Sequence, residues 1–272
     1  MSNKFKTFWK SNYKRVLTIA IPTIIVVFLC VIISILAAKN NNKNTDLQTT
    51  EPEAADVYQP VTVDPNEKIP TLSGVASEGL IIRSLGNGKA AVCGIGTCTD
   101  TYVIIPVISD DGEIICEIAE NAFLGCKSIS GVEIHSRIEK IGDYAFYTSS
   151  LKSVIIHSKI SEIGSYAFSG CCSLMGISVD AANTKYCDID GVLYSKDKKE
   201  LICYPSGRTS TICFIDKTVT SIAKMAFYDT VNLESIRYNG TRDEWTAIVK
   251  GDGNSSLNNA TVEYYVSSPG LK

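Results

Sequence analysis

Histidine is nearly absent, with two residues in 272. The chain has no HExxH pair, no Ser/His/Asp series and no glycine-rich phosphate loop. Those absences remove the usual sequence signatures of metallohydrolases, acyl transfer and nucleotide chemistry. Ten cysteines are present but no CxxC pair, so a zinc site of that spacing is excluded. A basic patch is missing too, and so is any interleaving of basic and aromatic residues, which argues against nucleic acid as a partner. Five of the 26 basic residues fall within the first fifteen positions, leaving the remainder acidic, 21 against 29. Neither an enzyme nor a cofactor or metal site is expected.

Charge is also absent from Val16 to Ala38, 23 residues that would span about 34 Å as a helix. The run exceeds the apolar core of a secretory signal, and no small-x-small cleavage site is evident. Lys4, Lys6, Lys10, Lys14 and Arg15 precede it with no acidic residue. Positive charge on that side predicts a cytoplasmic tail at 1–15, a transmembrane anchor at 16–38 and an extracellular remainder. Residues 39–75 lack periodicity and large apolar runs and are expected to form a disordered stalk.

What the chain does have is repetition. Ile118-Ala-Glu-Asn-Ala-Phe123 returns as Ile141-Gly-Asp-Tyr-Ala-Phe146 and as Ile163-Gly-Ser-Tyr-Ala-Phe168. A fourth copy, Ile222-Ala-Lys-Met-Ala-Phe227, comes 59 residues after Phe168. The first three phenylalanines lie 23 and 22 residues apart, a period typical of stacked-repeat folds. Each copy continues into an apolar alternation: Val132 and Ile134, Val154 and Ile156, Ile177 and Val179, Ile236 and Tyr238. The second copy is one residue short between Phe146 and Leu151, a deletion assigned to the outer turn. A unit of this size cannot bury its own apolar edge, so stacking is required for folding.

Ahead of the repeats, Leu80–Leu85 and Ala90–Ile95 flank Gly86-Asn-Gly88, a hairpin signature. This hairpin and the Thr101–Pro106 strand are assigned to an N-terminal cap, 76–116. Within the 59-residue gap, Gly191–Ser195 and Glu200–Tyr204 flank a polar turn, and an inserted hairpin is placed at 186–205. Repeats occupy 117–266, and 267–272 is a polar tail. Three Asn-x-Ser/Thr sequons, at Asn239, Asn254 and Asn259, read as chance in a polar tail.

Gly94-Ile-Gly-Thr-Cys-Thr-Asp-Thr101, the Val103-Ile-Ile-Pro106 strand and the recurring Ile-Gly-x-Tyr-Ala-Phe resemble the BspA-type leucine-rich repeat family. Asp190–Pro205 resembles its inserted hairpin, and Asn239-Gly-Thr-Arg-Asp-Glu-Trp245 its closing segment. The resemblance covers about residues 80–266. It implies a β-rich leucine-rich-repeat solenoid, short strands stacked in a curved sheet with short helical turns, here behind an N-terminal transmembrane helix. It implies a surface-displayed module that binds an extracellular protein or glycan, adhesion included, and no shared catalytic site. The alternative is a structural surface protein without a specific ligand.

On such a scaffold the concave sheet is the binding surface. One residue per strand is expected to point outward there: Glu133, Ile155, Ser178, Phe214 and Arg237. His135 and His157 share one repeat position, so they are expected to stack about 5 Å apart on neighbouring coils as an exposed, neutral pair. Nine cysteines lie outside the apolar run, an odd number. They read chiefly as structural thiols, with Cys93–Cys98 and Cys187–Cys203 disulfides as the alternatives.

Overall fold

A computed structural model of the chain describes residues 75–265. The predicted tail 1–15, the anchor 16–38, all but the last residue of the stalk and the tail 267–272 lie outside the described residues. Among those described, no helix is long and apolar enough to cross a membrane.

A hairpin of β1 (Ile81–Gly86) and β2 (Lys89–Gly94) opens the fold. Asn87 and Gly88 turn it, both with φ positive at 54° and 71°, the backbone an Asn-Gly turn supplies at low strain. Next come β3 (Tyr102–Ile104), β4 (Ile114–Ile118), β5 (Gly131–Glu133), β6 (Lys140–Ile141), β7 (Ser153–Ile156), β8 (Glu162–Ile163) and β9 (Gly176–Val179). The insertion supplies β10 (Tyr186–Ile189), β11 (Val192–Ser195) and β12 (Glu200–Cys203). The chain then continues through β13 (Ile212–Asp216), β14 (Ser221–Ile222), β15 (Ser235–Asn239), helix α1 (Arg242–Ala247), β16 (Val249–Lys250), helix α2 (Ser255–Asn259) and β17 (Thr261–Tyr265).

Each coil contributes to two sheets. One runs β3-β5-β7-β9 and resumes as β13-β15-β17; the other runs β1-β2-β4-β6-β8 and resumes as β10-β11-β12-β14-β16. Pairing between successive coils is parallel and in register, as in Val154 against Ile177 and Lys140 against Glu162. The repeating sequence explains the geometry. Period-two alternation sends Val154 and Ile156 into the core and leaves Ile155 outside. Gly142 and Gly164 are required by close approach: a Cβ on either would lie 2.4 Å from a backbone nitrogen of the preceding coil. The bend before each Ala-Phe is a left-handed residue rather than a helical turn, at Asn121, Tyr144, Tyr166 and Met225.

The phenylalanine rings form the spine. Phe123 stacks on Phe146 at 5.2 Å and Phe146 on Phe168 at 5.5 Å, nearly parallel. Their backbones are tied in the same direction: Phe123 N donates to Ala145 O, and Phe146 N to Ala167 O. Phe227 does not follow Phe168 directly. Its ring stacks on Tyr204 at 5.1 Å, and Tyr204 N donates to Ala226 O just as a phenylalanine would. Residues 200–204 are therefore a shortened coil of the stack, with β12 parallel to β14 and Leu201 opposite Ile222. The hairpin reading of 186–205 needs that adjustment: β11 and β12 do pair antiparallel, a further strand β10 joins them, and the last leg belongs to the repeats.

The insertion is also internal rather than superficial. Val192, Leu193 and Tyr194 are all buried. Leu193 and Cys203 pack into the core of the first coils, whereas Val192, Tyr194, Leu201 and Tyr204 pack into that of the last. The meander is a wall shared by two apolar cores. At the far end Asn254 stands in for a missing coil: its Oδ1 accepts Phe227 N, and its Nδ2 donates to Ala223 O and Gly251 O. At 7% exposure Asn254 is a structural cap, and a glycan on that sequon is incompatible with these bonds.

Candidate binding faces

The residues expected to form one outward row fall on two successive sheets of the same series, separated by the insertion. On the first, β3-β5-β7-β9, Ile104 pairs with Glu133 and Ile155 with Ser178. Ile155 is 55% exposed and Ser178 is exposed, whereas Glu133 is half-buried, with its Oε2 enclosed and unpartnered among the described residues. Tyr102 lies over Gly131, where a Cβ would meet the ring at 2.5 Å. Burial, then the Glu133 carboxylate, raises the Tyr102 hydroxyl above its ordinary pKa.

The row stops at β9 because the insertion takes up that strand's free edge. Ile177 N donates to Gly191 O and Val179 N to the Asp188 carboxylate. Phe214 and Arg237 lie beyond it, on β13-β15-β17, in register with Glu263. Phe214 is 56% exposed. The Arg237 guanidinium lies 5.7 Å from its ring centroid and donates from Nε to Glu263 Oε2 at 3.0 Å. Beside them Asn239 Nδ2 donates to Asp216 Oδ2, next to exposed Tyr265. Partial burial works upward on Asp216, but hydrogen bonds from Thr218 and Asn239 hold its carboxyl below the ordinary value. Glu263 and Tyr265 were missed by the sequence reading, although the alternation of Thr261–Tyr265 placed both on the outward side.

The histidines are not an open pair. His135 Nε2 meets Pro106 O at 3.0 Å, and Nδ1 faces Arg137 N at 3.3 Å. A carbonyl only accepts, so Nε2 carries the proton and Nδ1 accepts, which fixes a neutral ring. Burial lowers the His135 pKa, overriding the Pro106 bond, with Arg137 and His157 acting in the same direction. His157 is half-buried, and its carbonyl accepts from the buried Asn183 side chain.

The nine described cysteines are free thiols. Burial pushes Cys171 up to about 11 and Cys213 to about 12, leaving both poor nucleophiles. Among the described residues no three His, Cys, Asp or Glu side chains are grouped as a metal site. These faces can offer apolar, aromatic and hydrogen-bonding contact to a partner.

Residues 109–190 and 203–247 match the family described as BspA type leucine rich repeat region, in six copies. The break in that match, 191–202, falls within the shared wall. No curated protein matches the chain. A leucine rich cell surface protein from Faecalibacterium prausnitzii is 31% identical, over 50% of this chain and 35% of its own, with a TM-score of 0.45. A leucine-rich repeat protein from Eubacterium ventriosum is 18% identical, over 58% and 62%, with a TM-score of 0.34. The pneumococcal vaccine antigen PcpA is 18% identical, over 61% and 64%, with a TM-score of 0.29. The chain thus spans less than two thirds of the length of each of these three proteins.

Proposed function

The chain belongs to the BspA-type leucine-rich repeat family, and from that premise we propose that it is a non-catalytic binding module. It is held at a cell surface by the apolar segment 16–38, with the repeats outside. Its ligand is an extracellular protein, or a glycan, taken up on the outward faces, with adhesion as the biological use. The observation that carries this reading is the Phe214–Arg237–Glu263 row. It presents an exposed ring with a guanidinium already oriented by a carboxylate, and aromatic rings and arginine are enriched in protein interfaces. Ile155 supplies an apolar contact on the preceding sheet of the series.

Matrix proteins and glycan arrays screened against the full chain in detergent should yield a saturable partner. A Phe214→Ser/Arg237→Ala double variant should bind it at least about tenfold more weakly, the usual scale of losing a hot spot. Both side chains leave the core intact, so folding should be preserved. Unchanged affinity in that variant would rule out this face, and a screen without any saturable partner would favour a purely structural surface protein.

A further inference from the structure

A cavity of about 270 Å³ opens at a different corner of the stack, where β2 and β4 meet the turns that follow β5 and β7. Ile114 and Cys116 form its apolar part, and Lys89, Arg137 and Lys159 its basic rim, with Glu139 the one carboxylate. Glu139 is already engaged by Lys89 at 3.3 Å. Arg137 and Lys159 have no carboxylate partner among the described residues, while nearby Lys140 is held between Glu117 and Glu162 at 3.6 Å each.

Register makes this pair unusual. Ile138 and Ile160 are equivalent core positions, so Arg137 and Lys159 hold the same place on successive coils, and both line the cavity. Both cations border one space, where a single anionic ligand can engage the two together. They are kept together in a folded part that is otherwise acidic. The apolar part of the cavity continues outward, since exposed Ile108 is bridged to Ile114. The space is below the size of ordinary small-molecule pockets, about 300 Å³ and up, and suits a side chain of a larger ligand. A hydrated polyanion would bury nothing on Ile108 and Ile114, whereas a protein segment would.

We propose that this corner binds an acidic protein segment, its carboxylates on Arg137 and Lys159 and a neighbouring apolar side chain in the cavity. The site is separate from the outward faces and does not depend on them.

Fluorescence anisotropy of the full chain with a labelled Glu-Glu-Leu-Glu-Glu peptide tests it. Binding should weaken when salt is raised from about 50 to about 500 mM, as the charges are screened. Binding should be weaker for Gln-Gln-Leu-Gln-Gln and for Glu-Glu-Ser-Glu-Glu. An Arg137→Ser/Lys159→Ser variant, both side chains being exposed, should retain its fold by circular dichroism and lose about tenfold in affinity, about 1.4 kcal/mol. Phe214→Ser should bind the peptide normally. Absence of peptide binding, equal binding by the double variant, or loss of binding in Phe214→Ser would overturn the proposal. Tighter binding of a heparin oligosaccharide than of the peptide would overturn it as well, assigning the corner to an anionic glycan.

Discussion

Replacing Phe146 with alanine should cost about 3–5 kcal/mol of stability, the scale for deleting a buried aromatic ring from a packed core. Phe146 is fully buried between Phe123 and Phe168, with ring distances of 5.2 and 5.5 Å. Losing it opens a cavity and removes both stacking contacts, each worth about 0.5–1.5 kcal/mol beyond burial. In a stack where each coil shields only its neighbours, the two adjoining coils should be destabilised as well. Urea unfolding followed by circular dichroism reads the effect. Phe146→Leu, which refills much of the space, should lose clearly less. Equal losses for Ala and Leu would mean that the ring is not packed as described.

Arg208→Ala should be next in size, at about 3 kcal/mol. Arg208 is 8% exposed, and its guanidinium donates to the Asp190 carbonyl and, at 2.6 Å, to the Asp190 carboxylate, while lying 5.3 Å from the Tyr204 ring centroid. Removing one partner of a buried pair leaves the other's charge uncompensated, typically at 3–5 kcal/mol. The low end applies because the Asp190 side chain keeps 36% of its surface in water, where screening is effective. Arg208→Lys should not rescue, since an ammonium cannot reproduce the two-pronged, stacked geometry. The same unfolding measurement tests this, and full rescue by lysine would contradict it. Because Asp190 lies in the turn between β10 and β11, the pair anchors the wall between the two cores.

The coils were legible wherever the sequence kept both elements of its signal, an aromatic preceded by alanine and an isoleucine five positions before that aromatic. Ala145-Phe146 and Ala226-Phe227 carry it plainly. Tyr204 does not: cysteine precedes it, and only two residues separate it from Leu201, against four between Ile222 and Phe227. Yet Tyr204 lies 23 residues before Phe227, the period of the first two phenylalanines, so the spacing held the signal that residue identity concealed. The run Val192-Leu193-Tyr194 likewise departs from alternation because both its faces are buried. Asn183 and Asn254 were hidden for another reason. Their side chains bond to backbone groups that a neighbouring coil would otherwise satisfy, and no periodic pattern announces a substitute. The outward faces were legible strand by strand through alternation. Their division was not, because it follows from how the insertion bonds to β9.

A double-mutant cycle between Tyr204 and Phe227 tests most directly whether the insertion continues the stack as a coil of its own. Alanine at each position, singly and together, in urea unfolding should give a coupling of about 0.5–1.5 kcal/mol, as for rings in contact. The same cycle between Phe168 and Phe227, which are not stacked on one another, should be additive. Additivity between Tyr204 and Phe227 would contradict the account, since it would make residues 186–205 a decoration on the repeats rather than part of them.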